Sequence, residues 1–122
     1  MCSGTSGLSS PGCFETTVEN TEGTTPGPNQ ISVSGGKVYV HTTQNSEDIS
    51  SILSTLDTNN SGIITLYQTA NALITFDTND VENTSTNVYA ITPNSYFTGD
   101  EISDLTDDTT TTICFNLNEG TS

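Results

Sequence analysis

The sequence GIITLYQTANALITFDTNDV, at residues 62–81, decides the fold because it contains two strands and the turn that joins them. Both segments are rich in β-branched and aromatic residues, which is typical of β-strands. The polar residues Thr69 to Asn71 separate them and predict the turn. NVYAITP at 87–93 follows a second polar turn and predicts another strand, which ends at Pro93. The middle of the chain is therefore β-structure.

Two further strands and one helix flank this centre. KVYVHTT (37–43) and TTTTICFNL (109–117) alternate apolar and polar residues, so each predicts a strand. SEDISSILSTL (46–56) predicts the helix, with Ser46 as its N-cap and one apolar face. We therefore predict a mainly β fold, in which a small antiparallel barrel or sandwich of five to six strands and one short helix occupies residues 37–118.

Residues 1–36 differ in composition from the rest of the chain. They hold seven of the ten glycines, three of the four prolines and a single aromatic residue, Phe14. A segment of this kind buries too little apolar surface to offset its own chain entropy. We predict an extended Gly/Pro/Ser/Thr-rich N-terminal arm, ordered against a partner surface. Within it, CFETTV (13–18) and ISV (31–33) are weak strand candidates.

The charge of the chain excludes two classes of partner. Lys37 is the only basic residue against 15 acidic ones, and the formal net charge is −14. Such a surface repels nucleic acid and anionic membranes, so we expect neither as a partner. No apolar run approaches the ~20 residues that a membrane-spanning helix needs.

The 24 Thr, 15 Ser and 12 Asn residues favour strands, turns and caps over helix interiors.

The segment DTNNSG (57–62) is the first candidate calcium site. Asp57, Asn59 and Ser61 fall at positions 1, 3 and 5 of a calcium-binding loop, with a glycine at position 6. Position 12 is Gln68, where such a loop needs a glutamate that supplies two oxygens. A polar turn between a helix and a strand is therefore the favoured interpretation.

A dense run of acidic side chains in the segment 98–108 is the second candidate calcium site. Carboxylate oxygens suit calcium, and the run contains Asp100, Glu101, Asp104, Asp107 and Asp108, of which Asp100, Asp104 and Asp108 are the candidate ligands. Their spacing matches no defined cage, and a solvated acidic loop is the competing interpretation. Calcium thus stays possible as a cofactor, and the sequence predicts no other.

Two of the cysteines allow a disulfide, and the single histidine indicates neither a metal site nor a catalytic group. Cys13 and Cys114 each precede a phenylalanine, and their thiols could form a disulfide if the two segments were neighbouring strands. Small buried apolar side chains are the alternative. His41 has neither a second histidine nor a CxxC pair beside it, and no nucleophile accompanies it. We predict no enzymatic activity.

The order of elements resembles that of small β modules in virion proteins of tailed phages, especially tail-fibre and related structural proteins of marine phages. The residues that carry the resemblance are KVYVHTTQNSEDISSILSTL, GIITLYQTANALITFDTNDV, NVYAITP and TTICFNL, about two-thirds of the chain. The chain departs from those modules in having SGII where a Gly-Asp pair is common, and in its acidic 98–108 loop.

The resemblance implies a non-enzymatic virion structural protein. Its role would be capsid decoration or tail or fibre attachment, with the arm and the β module docking on other virion structural proteins in a homo-oligomer. The alternative is an extracellular or cell-surface adhesin or carbohydrate-binding module. The acidic clusters favour a calcium-dependent form of this alternative.

Overall fold

Nine strands and one α-helix make up the part of the chain that the structure, a computed structural model, describes, which is residues 12–116. The strands are β1 (Gly12–Val18), β2 (Gln30–Ser34), β3 (Lys37–His41), β4 (Thr43–Gln44), β5 (Glu47–Asp48), β6 (Gly62–Gln68), β7 (Ala72–Ser85), β8 (Val88–Tyr96) and β9 (Thr110–Asn116). The helix α1 spans Ser50–Asn59, and two 3₁₀ helices span Asn20–Glu22 and Ile102–Asp104.

Seven of the strands form one closed barrel in the order β1-β2-β3-β8-β7-β6-β9, and β9 pairs with β1 to close it. Strands β4 and β5 form a separate two-stranded hairpin. The prediction of a mainly β fold with one helix is confirmed, and of the two predicted architectures the barrel is the one observed. The barrel has seven strands rather than five or six, and β1 and β2 are parallel where an antiparallel arrangement was predicted.

The predicted N-terminal arm does not hold for residues 12–36, because β1 and β2 are barrel strands. β1 pairs with β9 from Gly12 to Thr17, and β2 pairs with β3. The physical reason is that Phe14, Val18 and Ile31 point into the shared core and are buried there. These two strands bury their apolar residues against distant parts of the chain. The remainder of the predicted arm, residues 1–11, and the predicted domain end at 118 lie outside the described residues.

The alternation of side chains along each strand fills the barrel with apolar residues. In β6 the residues Ile64 and Leu66 are fully buried, and in β7 the residues Ile74 and Phe76 are fully buried. Each such side chain stabilises the fold by about 1.5–3 kcal/mol relative to an exposed one. Aromatic pairs join strands across the core, Phe14 with Phe115 at 6.2 Å and Phe76 with Tyr96 at 5.8 Å between ring centroids.

The helix begins at Ser50, four residues later than predicted. Residues 43–48 form the β4–β5 hairpin instead, and Asn45 and Ser46 make its left-handed turn with φ values of 52° and 62°. The N-cap residue of the helix is Ile49, and Asp48 just before it accepts at Oδ1 a hydrogen bond from the backbone N–H of Ser50 at 2.9 Å. This hydrogen bonding by Ser50 lowers the pKa of Asp48. None of the helices described between residues 12 and 116 is long and apolar enough to cross a membrane.

Candidate functional site

Three large apolar side chains are exposed among residues 12–116: Tyr67, Leu73 and Phe97, with exposed fractions of 44%, 49% and 60%. We call these three residues the aromatic patch. Tyr67 in β6 lies directly opposite Leu73 in β7. The backbone N–H of Phe97 donates to the carbonyl of Thr75 at 2.8 Å, so Phe97 lies beside the same strand. The three side chains therefore share one region of the outer face of the barrel.

Strand alternation explains why these residues are exposed. In β6 the buried residues are Gly62, Ile64, Leu66 and Gln68, so Tyr67 points outward. In β7 the buried residues Ala72, Ile74 and Phe76 leave Leu73 on the outside. The segment after β8 stays alongside β7, because the backbone N–H groups of Leu73 and Thr75 donate to Asp100 Oδ2 and Thr98 Oγ1, each at 3.1 Å.

The outer face around the aromatic patch is built largely from threonine. One row of cross-strand neighbours runs from Leu73 through Tyr67 and Thr112 to Glu15. The next row runs from Thr75 through Thr65 to the disulfide described below, and the Oγ1 atoms of Thr65 and Thr75 lie 3.1 Å apart. Rings, methyl groups and hydroxyls therefore dominate this face, and Glu15 lies at the end of one row. Such a face can bind an apolar or hydroxyl-rich partner.

A disulfide joins Cys13 to Cys114, which lie directly opposite each other in β1 and β9. The two residues are 101 positions apart in the sequence, so the bond links the first and last strands of the barrel. The sequence left this pairing open, and the condition stated for it, that the two segments be neighbouring strands, is met. The bond lies at the end of the threonine-rich face and holds β1 against β9.

The first candidate calcium segment is a helix end rather than a metal-binding loop. Asp57 and Asn59 belong to the last turn of α1, and Asn60 ends the helix in the left-handed conformation with φ of 52°. Its Oδ1 accepts a hydrogen bond from the backbone N–H of Val81 at 2.9 Å. Ser61 then leads into β6. The interpretation as a polar turn between helix and strand agrees with this geometry.

The residues of the second candidate calcium site bind separate backbone groups. Asp100 Oδ2 accepts from the N–H of Leu73 at 3.1 Å, and Asp104 Oδ2 accepts from the N–H of Glu101 at 2.8 Å. Asp108 lies further along, with its N–H donating to the carbonyl of Val18 at 2.6 Å. Within residues 12–116 no group of three or more His, Cys, Asp or Glu side chains is arranged to hold a metal ion.

The fold creates an acidic cluster at one end of β1 that the sequence analysis did not anticipate. Desolvation by burial raises the pKa of Glu19, and a hydrogen bond with Asp108 and the charges of Asp108, Asp107 and Glu22 raise it further. Asp107 Oδ1 accepts from the backbone N–H of Asn20 at 2.7 Å. The cluster assembles because Glu19 and Asp108 flank the paired ends of β1 and β9.

His41 is a packed histidine in this fold. Its side chain is largely buried, and its Nδ1 accepts a hydrogen bond from the backbone N–H of Thr43 at 3.0 Å. Burial lowers the pKa of His41, so the neutral ring is favoured. The ring therefore orders the chain between β3 and β4.

The aromatic patch was not predicted from the sequence, although part of its signal is present there. Alternation in GIITLYQ places Tyr67 on the face opposite Ile64 and Leu66, and alternation in ALITFDT does the same for Leu73. Pairing the two strands through a three-residue turn would have put these side chains opposite each other. Phe97 could not be found this way, because it follows β8 in an irregular segment.

Comparison of the chain with protein-family models, with curated proteins and with solved structures found no match.

Proposed function

We propose that this chain is a non-enzymatic structural protein of a virion, acting in capsid decoration or in tail or fibre attachment. Its partners would be other virion structural proteins and further copies of itself, docked through the aromatic patch. The observation that carries the proposal is the exposure of Tyr67, Leu73 and Phe97 together on a chain with a net charge of −14. Exposed apolar patches rimmed by polar residues mark interaction surfaces, and aromatic residues are enriched in their cores.

A binding role is proposed rather than a catalytic one because of the chemistry of this face. Its groups are aromatic rings, threonine hydroxyls and backbone-bound carboxylates, with His41 packed elsewhere in the barrel. Disulfides persist at virion and cell surfaces, and the Cys13–Cys114 bond suits such a location. The acidic remainder of the surface would keep the protein soluble within a crowded assembly.

The proposed docking is tested by the mass of the full chain in solution. Light scattering should give an oligomer for the unmodified protein and a monomer for the triple variant Tyr67→Thr, Leu73→Thr, Phe97→Thr. Loss of each anchoring side chain costs on the order of 1–2 kcal/mol of association, so the triple variant should associate at least about 100-fold more weakly. Tyr39→Thr, on the outer face of β3, is the matched control and should leave the mass unchanged.

The virion location has its own test. Mass spectrometry of purified virus particles from the same biological source should detect this chain at a stoichiometric copy number. A monomeric protein that is absent from such particles and does not bind their components would refute the proposal.

A carbohydrate-binding or adhesin module at a cell surface is the alternative, favoured by one observation. The rings of Tyr67 and Phe97 are exposed beside the hydroxyls of Thr65 and Thr75, and sugars bind to rings and hydrogen-bonding groups of this kind. A glycan array with and without millimolar calcium separates the two proposals. Glycan binding that Phe97→Ala abolishes would support the alternative, and a calcium requirement would support its calcium-dependent form.

A further inference from the structure

Half of β1 is hydrogen-bonded along only one of its two edges. On one side it pairs with β9 from Gly12 to Thr17. On the other side β2 is paired only with Thr17 and Val18, because the parallel strand β2 starts where β1 ends. The stretch from Cys13 to Thr16 is therefore hydrogen-bonded to a strand on one side and, among residues 12–116, to no strand on the other.

The alternation of backbone groups shows which atoms face the open side. The N–H of Val18 donates to Thr109 on the β9 side at 3.2 Å, and the N–H of Thr17 donates to Asn29 on the opposite side at 3.1 Å. Successive residues of a strand alternate in this way, so the N–H and C=O groups of Cys13 and Glu15 also face away from β9. These four groups have no hydrogen-bond partner among residues 12–116.

A polar groove of about 220 Å³ lies along this open edge. Its walls are β1 on one side and the turn of the β4–β5 hairpin on the other, and its lining residues are Glu15, Thr16, Thr17, Asn29, Asn45 and Ser46. The hairpin wall is held in place by Asn29, whose Oδ1 accepts from the N–H of Ser46 at 2.8 Å.

The strands on both sides of the groove carry buried polar atoms without a partner. Thr16 Oγ1 in β1 and Gln44 Oε1 in β4 are buried and have no hydrogen-bond partner within residues 12–116. A buried unpaired polar atom costs about 1–3 kcal/mol, so such atoms are rare in stable folds. Asn29, Asn45 and Ser46 also adopt positive φ values of 65°, 52° and 62°. Backbone conformations of this kind concentrate at binding sites.

We propose that the open edge of β1 binds an extended polypeptide strand of another protein by β-strand addition, with a basic side chain of that strand beside Glu15. Two residues that present N–H and C=O groups one strand repeat apart are what an added strand pairs with. Glu15 is exposed on this edge, and opposite charges in neighbouring strands attract.

The charge of the chain argues that the partner is a different protein. A second copy carries one basic residue, Lys37. It lies in β3, which is paired with β2 on one edge and with β8 on the other, so this strand cannot be the one that adds to β1. Two copies of β1 placed edge to edge would also bring two Glu15 side chains together, which is destabilising. This site lies at the edge of β1, two strands away from Tyr67, and it uses none of the side chains of the aromatic patch. It stands whether or not that patch self-associates.

Hydrogen exchange of the full chain tests whether the edge is free. The amides of Cys13 and Glu15 should exchange at least tenfold faster than those of Phe14 and Thr16, which pair with β9. Slow exchange at all four positions would show that the edge is already occupied within the chain and would overturn the proposal.

Two synthetic peptides test the binding itself. The acetylated peptide TVTKTVT should bind the full chain at least tenfold more tightly than TVTETVT at low salt, with amide shifts at Cys13 and Glu15. Glu15→Lys should reverse the preference between the peptides. Glu82→Lys, an exposed site on β7, changes the net charge by the same amount and should leave the preference intact.

A second variant separates backbone pairing from charge. Glu15→Pro removes the N–H that faces the groove and no hydrogen bond to β9, so it should abolish peptide binding with a small change in melting temperature. Equal affinity for both peptides, or equal effects of Glu15→Lys and Glu82→Lys, would overturn the proposal. The triple variant of the aromatic patch should bind the lysine peptide normally, so failure of one proposal is distinguishable from failure of the other.

Discussion

The β6–β7 hairpin and strand β1 lie on the same barrel but are held in different ways. β6 is hydrogen-bonded along both edges, to β7 over Gly62 to Gln68 and to β9 over Ile63 to Tyr67. β1 is paired fully with β9 and only at its end with β2. The hairpin forms through a three-residue turn, whereas β1 reaches its partner across 101 residues. The difference separates a strand that is paired along both edges and joined to its neighbour by a short turn from a strand that is paired mainly along one edge and cross-linked to a distant strand.

The largest expected effect on stability comes from removing a buried aromatic ring from each of the two regions. Phe76 in β7 is fully buried against Tyr96, while Phe14 in β1 keeps a 9% exposed fraction. We expect Phe76→Ala to lower the free energy of unfolding by about 4 kcal/mol and Phe14→Ala by about 3 kcal/mol, since both remove a buried ring and leave a cavity. Urea unfolding measures both. A larger loss at Phe14 would invert the comparison and show that β1 is part of the most stable unit.

The disulfide should matter nearly as much, and beyond its effect on the whole fold it should matter most for β1. The double variant Cys13→Ser, Cys114→Ser should lose about 3 kcal/mol, because the bond closes a long loop in the unfolded chain. Reductant should destabilise the unmodified protein by a similar amount and leave the double variant unchanged. Hydrogen exchange of the double variant should accelerate in β1 before β6. Uniform acceleration in both strands would contradict the proposed difference between them.

A substitution at the start of β6 tests the interpretation of the helix end. A Cβ at Gly62 would overlap Leu56 Cδ2, so Gly62→Ala should destabilise the protein by about 1–2 kcal/mol through overpacking. Leu56→Val in the same chain should recover part of that loss. Since this segment also matched a calcium loop in sequence, the measurement is made with and without millimolar calcium. A loss that depends on calcium would restore the metal-site interpretation.

The smallest effect concerns charge at the end of β1. The folded pKa of Glu19 is raised, so its contribution to stability is fully present below its unfolded value of 4.5 and is lost as pH rises through the folded pKa. Glu19→Gln should therefore raise the melting temperature at pH 7 slightly, and the gain should vanish below pH 4.5. Glu47→Gln, in the β4–β5 hairpin, is the matched control. An equal gain from both variants would contradict the inference that Asp107 and Asp108 destabilise the ionised form of Glu19.

Strands that pair with near neighbours in the sequence were predicted better than strands that pair with distant segments. The strand predicted at 62–68 is observed with the same bounds, and β9 was predicted within one or two residues. β7 runs four residues further than predicted. The prediction that β8 ends at Pro93 is wrong, because the strand continues to Tyr96, with Pro93 opposite Thr78. These strands carry dense apolar alternation. CFETTV and ISV were noted only as weak candidates, because each contributes few large apolar residues and pairs with segments far away. The helix was placed early because Ser46 resembles an N-cap, whereas the β4–β5 hairpin takes that residue as a turn position.

Sequence alone determines the β-rich character, the acidic exterior and the outward direction of Tyr67 and Leu73, because composition and period-two alternation are local properties. Distant pairing determines everything else that concerns function. Closure of the barrel places Cys13 opposite Cys114, brings Glu19 beside Asp108 and leaves one edge of β1 facing a groove. Each of these juxtapositions joins segments tens of residues apart or more. Each strand could pair with several others, and its actual partner is decided only when the whole core packs.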